Sequence, residues 1–280
     1  MVSLSDVPEV VYTNDQLIDR LFSYINEGEV KEVVERTLDA DTTDKGGGLK
    51  KIISLRYSQM STDEDETEFI RQLDSVGKFA ILHGMLEDDR DITHLDQLSE
   101  SDRQNLDKGD FVQVEGNIAS SPINQLQNLI QEVKPYLEMF DFDAEFEEGG
   151  EEFTLNDIQS FLNELDSGED IYRVKSASSD NSDMVFSLEN DEIVDLLSKH
   201  TEYHVLGRVE HVYERNEEQW LMNVMDIMPN EGRESRHQRQ MFVKQMSQSS
   251  SELLDQNVDE SDFKIGYPDI RVRIMAIYLY

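Results

Sequence analysis

Between Tyr203 and Tyr213 the chain repeats with the period of a β-strand: Tyr203, Val205, Gly207, Val209, His211 and Tyr213 fall on one face. Successive strand side chains point to opposite sides, so this pattern demands a strand with one face buried. A turn at Asn216-Glu217 follows, then Trp220–Met228, which is apolar on both faces and reads as a buried strand. Together they predict an antiparallel hairpin in the C-terminal half. The last segment, Ile270–Tyr280, is a second buried strand, with Arg271 and Arg273 sharing one of its faces.

Helical spacing accompanies these strands. Val10-Val11-Tyr12 reads as a short strand. Thr13 and Gln16 have capping-box spacing, and Leu17, Ile18, Leu21, Phe22 and Ile25 recur as one helical face. Ile52–Tyr57 reads as a strand, and Phe69, Ile70, Leu73, Val76 and Ala80 mark a helix. Asp110–Ile118 reads as a strand, followed by a helix with Ser121 at its cap and Pro122 at its first position. Thr154 and Asn190 are expected to cap two further helices, with strands near Ile171–Val174 and Met184–Leu188. Gly116 and Gly207 lie inside strand patterns, which marks a bulge or a close backbone approach. The expected fold is α+β: a mixed sheet with helices packed on it. Its expected regions are residues 1–140, an acidic linker at 141–152, and residues 153–280, as separate domains or sharing one sheet.

Charge bounds the environment. Asp and Glu number 61 and Lys and Arg 25, a net of −36 over 280 residues. Such self-repulsion destabilises a compact state unless salt screens it. The screening length falls from about 8 Å at 0.15 M to about 3 Å at 1 M. The excess is spread along the chain, so it reads as the surface of a salt-adapted, halophilic protein rather than an acidic tail. With no cysteine, disulfides, thiolate metal sites and cysteine nucleophiles are excluded. The first residues, MVSLSDVPEVVY, lack the basic start and apolar core of a signal peptide. No apolar stretch approaches the roughly 20 residues that span a bilayer. A soluble, cytoplasmic protein without a membrane partner is expected.

Three segments together carry a resemblance: the opening strand and helix Val11–Glu27, the block Asp110–Leu137, and the pairing of Tyr203–Val212 with Pro268–Leu279. In these the chain resembles an uncharacterised prokaryotic domain family of unknown function, as a halophilic archaeal-type member. The resemblance implies one α+β unit in which the first and last strands are neighbours. It implies no catalytic residue.

The chemistry-bearing motifs are sparse. Lys45-Gly46-Gly47-Gly48-Leu49-Lys50-Lys51 lacks the spacing and hydroxyl of a phosphate loop, so it reads as a flexible loop. Asp141, Asp143 and Glu145 resemble the start of a calcium loop, but Phe146 stands where that loop needs glycine. None of His83, His94, His200, His204, His211 and His237 has a recognised metal spacing. By parity His204 and His211 take opposite faces, and His211 reads as a hydrogen-bonded, partly buried histidine. No cofactor and no metal is expected.

Two residue groups remain. Arg233, Arg236, His237, Arg239 and Lys244 stand within a stretch containing one acid, Glu234. They form either an anion or nucleic-acid contact or a helix whose arginines pair with carboxylates. Arg208, His211, Arg271 and Arg273 are the candidate lining of a pocket. The expected role is a non-enzymatic binding or regulatory protein, with a protein as its partner. The alternatives are a nucleic-acid or nucleotide binder using residues 233–244, and an enzyme whose site is assembled from distant residues.

Overall fold

The structure is a computed structural model. It describes residues 8–25, 73–95, 103–122, 124–125, 128–129, 145–148, 151–154, 169–176, 183–189, 201–221, 251 and 258–279. The strands expected at Ile52–Tyr57 and beyond Leu221, the helix expected after Asn190, the 45–51 loop, and Asp141 and Asp143 lie outside these residues.

The chain opens with β1 (Glu9–Thr13) and α1 (Asp15–Phe22). The helix starts one residue later than the Thr13–Gln16 spacing predicts. The Asn14 side chain accepts a 2.9 Å hydrogen bond from the Leu17 amide, while the Thr13 hydroxyl donates to Asp15. Asparagine is at least as good a cap as threonine. The next described helix, α2 (Ser75–Asp89), is capped by Asp74, which accepts from the Gly77 amide at 2.8 Å. The helical face predicted from Phe69 is therefore interrupted: Leu73 is buried but precedes the cap. Arg90 ends α2 in the left-handed region.

β2 (Ile92–His94) and β3 (Phe111–Ser120) follow, and then β4 (Glu145–Glu148) and β5 (Glu151–Thr154). The last two pair antiparallel within and just beyond the expected acidic linker; Thr154 is the last residue of β5, and the helix expected after it lies outside the described residues. Next come β6 (Glu169–Ser176), β7 (Met184–Glu189), β8 (Glu202–Val212), β9 (Glu218–Trp220), β10 (Lys264–Gly266) and β11 (Ile270–Leu279). The expected start at Ser121 is present: its carbonyl accepts from the Gln125 amide and its hydroxyl from the Asn124 amide.

Among the described residues, one seven-stranded mixed sheet joins strands from both sides of residues 141–152. Five of its strands close on themselves in the spatial order β3-β6-β7-β11-β8 and back to β3. All these pairings are antiparallel except β7–β11. β1 adds to β11, so the first and last strands are neighbours. β8 pairs with β11, as the resemblance implies, but the predicted hairpin is corrected: the second neighbour of β8 is β3, and Trp220 in β9 pairs with β10. Trp220 is only half-buried, with the Lys264 ammonium 4.6 Å from its ring centroid.

Closure depends on Gly116, where β3 passes from β8 to β6. A Cβ there would stand 2.2 Å from the Lys175 carbonyl oxygen. The barrel interior is apolar and draws on all five strands, with Val114, Val174, Phe186, Val205 and Val272 among its buried residues. A second apolar cluster lies outside the barrel. It combines Leu17 and Ile18 of α1, Phe79–Leu82 of α2, and Leu206, Met275, Ala276 and Tyr278 of the strands. No helix among the described residues is long and apolar enough to cross a membrane.

Candidate functional site

The site forms where two neighbours of β11 part company. On one edge, β7 pairs with Ile270 and Arg271, and β1 pairs with Ala276–Leu279. The amide of Asn14, where the chain turns into α1, donates to the Met275 carbonyl. Among the described residues, no strand is in register with Val272–Ile274 on that edge. A cleft of about 660 Å³ opens there, between residues 12–20 and Ser187-Leu188.

Three arginines line it: Arg271 and Arg273 from β11, and Arg20 from α1. Among the described residues two carboxylates, Glu210 and Asp15, accompany them, so the described titratable lining carries a net charge of +1 in a chain whose net charge is −36. Glu210 is shared by two of the arginines. One oxygen lies 3.0 Å from Arg273 and the other 3.8 Å from Arg271. The side chains are 58% and 40% exposed for the arginines and 33% for Glu210, so water screens the pairs. Thr13, Asn14 and Ser187 complete a mainly polar wall.

A β-bulge explains why Glu210 faces the cleft. Arg271 is opposite His211 and Val272 is opposite Val209, which leaves Glu210 as the extra residue of β8. An extra residue shifts the alternation and re-aims the side chains around it. The same bulge corrects the reading of His211. Tyr203, Val205 and Val209 are buried in the barrel, but His211 is 46% exposed on the outside. Its Nε2 lies 2.8 Å from Glu217 and its ring meets Tyr213 edge-on. The carboxyl of Glu217 is held below the usual range, first by the Glu214 amide and then by His211. His204 is also on the outside, stacked on Tyr278 at 5.3 Å. The opposite-face assignment therefore fails.

Of the four expected pocket residues, the cleft unites Arg271 and Arg273. Arg208 and His211 are not among its lining residues. The Arg208 Nε donates to the Gly109 carbonyl at 2.7 Å, and its guanidinium lies over Phe111. Burial raises the Tyr213 pKa, opposed by nearby Arg271. Arg233, Arg236, Arg239 and Lys244 lie outside the described residues. Arg20 and Glu210 escaped the sequence reading because each is one of several charges on an amphipathic element, with no local spacing to single it out.

Two other polar clusters are internal. Beneath α2, His83 Nε2 lies 3.3 Å from Gln113 Oε1 and 3.2 Å from the Tyr278 hydroxyl. Near the barrel end, Arg173 pairs with Asp269 at 2.9 Å and lies 3.6 Å from Asp183, and it donates to the Lys264 carbonyl. Burial pushes the Asp269 carboxyl above its ordinary range, with Arg173 opposing. No cluster of histidine and carboxylates suited to a metal occurs among the described residues.

No curated protein and no solved structure matches the chain. A family model does, over residues 7–278. The chain belongs to that family, the Domain of unknown function (DUF6414).

Proposed function

We propose that this chain is a non-enzymatic binding protein of a salt-adapted cytoplasm, and that it holds an anionic ligand in the Arg20–Arg271–Arg273 cleft. The observation that carries this reading is the convergence of three arginines in one polar recess of a strongly acidic chain. Guanidinium forks suit anions whose oxygens accept paired hydrogen bonds. An enzyme site uniting Arg208 and His211 with these arginines has no support in the cleft lining. Calorimetric titration with small anions, on the wild type and on Arg271→Gln and Arg273→Gln, tests the reading. Binding that both substitutions weaken supports it, and binding indifferent to both refutes it.

A second reading is favoured by the barrel's strand order. Numbered along the chain, the five strands run 1-2-3-5-4 around the ring, with the third and fifth parallel. That is the order of the OB-fold, a barrel that binds oligonucleotides or oligosaccharides through strands 2 and 3 and the 1–2 and 4–5 connections. In sequence, Arg233, Arg236, Arg239 and Lys244 fall in the 4–5 connection. Short single-stranded RNA and DNA at about 2 M KCl provide the test, because phosphate neutralisation contributes little there. Binding lost on changing the three arginines to glutamine would put this reading first. Binding confined to low salt would remove it.

A further inference from the structure

Given the cleft as a ligand site, we infer that Glu210 holds the place of a phosphoryl dianion, and that the ligand is a small molecule bearing one. The carboxylate lies between two guanidiniums with one oxygen toward each. It sits there because the β8 bulge aims it into the cleft. Its pairs are exposed and therefore weak, so a ligand can displace it. With Glu210 swung out, Arg20, Arg271, Arg273 and Asp15 leave a charge of +2, which a dianion neutralises. The arginines come from two elements, α1 and β11. A tetrahedral phosphoryl group offers oxygens in more directions than a planar carboxylate, so it can meet both elements. The volume of about 660 Å³ is that of a small-molecule site.

The test measures affinity for inorganic phosphate, pyrophosphate, a nucleoside monophosphate and succinate, at one fixed KCl concentration, the lowest at which circular dichroism shows the wild type folded. Glu210→Gln is compared with Asp89→Asn, which removes the same charge at the exposed end of α2. Circular dichroism checks that each variant is folded. Glu210→Gln is expected to bind the phosphoryl probes about two- to fivefold tighter, the range of an exposed ion pair, with Asp89→Asn unchanged. Arg273→Gln and the surface variant Arg20→Gln are expected to bind about fivefold or more weakly. The relative affinities of phosphate, pyrophosphate and nucleotide show which kind of phosphoryl compound fits. Wild-type binding that Arg273→Gln weakens and Glu210→Gln leaves unchanged overturns the displaced-carboxylate inference and keeps the cleft. Succinate binding as tightly as phosphate overturns the phosphoryl assignment alone. No binding of any probe to wild type or Glu210→Gln overturns both the inference and the cleft reading.

Discussion

The Tyr278 hydroxyl donates a 2.9 Å hydrogen bond to Gln113 Oε1, joining the last strand to β3 beneath α2, where both side chains are buried. His83 completes the triangle from the helix. The Gln113 oxygen and the tyrosine oxygen both face Nε2, so the tautomer with its proton on Nε2 serves them together.

Losing one member of this triangle strands polar atoms away from water. Tyr278→Phe and Gln113→Leu are each expected to cost about 1–3 kcal/mol. Urea denaturation of the singles and the double gives a mutant cycle. A coupling of at least about 0.5 kcal/mol is expected for groups sharing hydrogen bonds. Additive losses would show that the triangle is not a unit.

Gly116 and Gly207 share a sequence pattern but differ in what surrounds them. The nearest atom to an added Cβ is 2.2 Å away at Gly116 and 3.1 Å away at Gly207. The first is a backbone carbonyl that cannot move without opening the β3–β6 pairing. Gly116→Ala is expected to cost about 1–3 kcal/mol or more, and Gly207→Ala distinctly less. Equal melting temperatures for the two variants would contradict this account of closure.

Asp269 gives a pH signature. Its folded pKa is raised, chiefly by desolvation and despite Arg173. A raised pKa means the folded state holds the proton more tightly than the unfolded chain. Its contribution is therefore fully present below the ordinary carboxylate value near 4 and is lost as pH rises through the folded pKa. Relative to Asp269→Asn, the wild type should gain stability as pH falls from neutral toward 4. Chemical denaturation across that range checks it, and a constant difference between the two proteins would count against it.

Salt should decide whether the whole chain folds. A net charge of −36 repels itself over about 10 Å at 0.1 M and over less than 3 Å at 3 M. The melting temperature is expected to rise steadily through 0.1, 1 and 3 M KCl. A melting temperature that stays flat would remove charge repulsion as the controlling factor.

The strand and helix positions were legible because hydrophobic period is a local property. The residues of β1, β3, β6, β7, β8 and β11 could be read directly, as could the buried face of α1. Gly116 was legible too, since a glycine amid strand residues has few reasons to be there. That β11 lies beside β1 and β8 came from the family resemblance rather than from periodicity; its pairing with β7 did not. What the sequence alone determined was thus the principal barrel strands, the buried face of α1 and the overwhelming negative charge. Tertiary structure decided that β8 takes β3 rather than Trp220 as its second neighbour, because pairing depends on which strand edges barrel closure leaves open. It also decided where Glu210 and His211 point, because one extra residue at a bulge reverses the alternation that parity assumes. Of the cleft, only the shared face of Arg271 and Arg273 was legible: Arg20, Ser187 and Glu210 are far from them along the chain, and no sequence spacing brings them together.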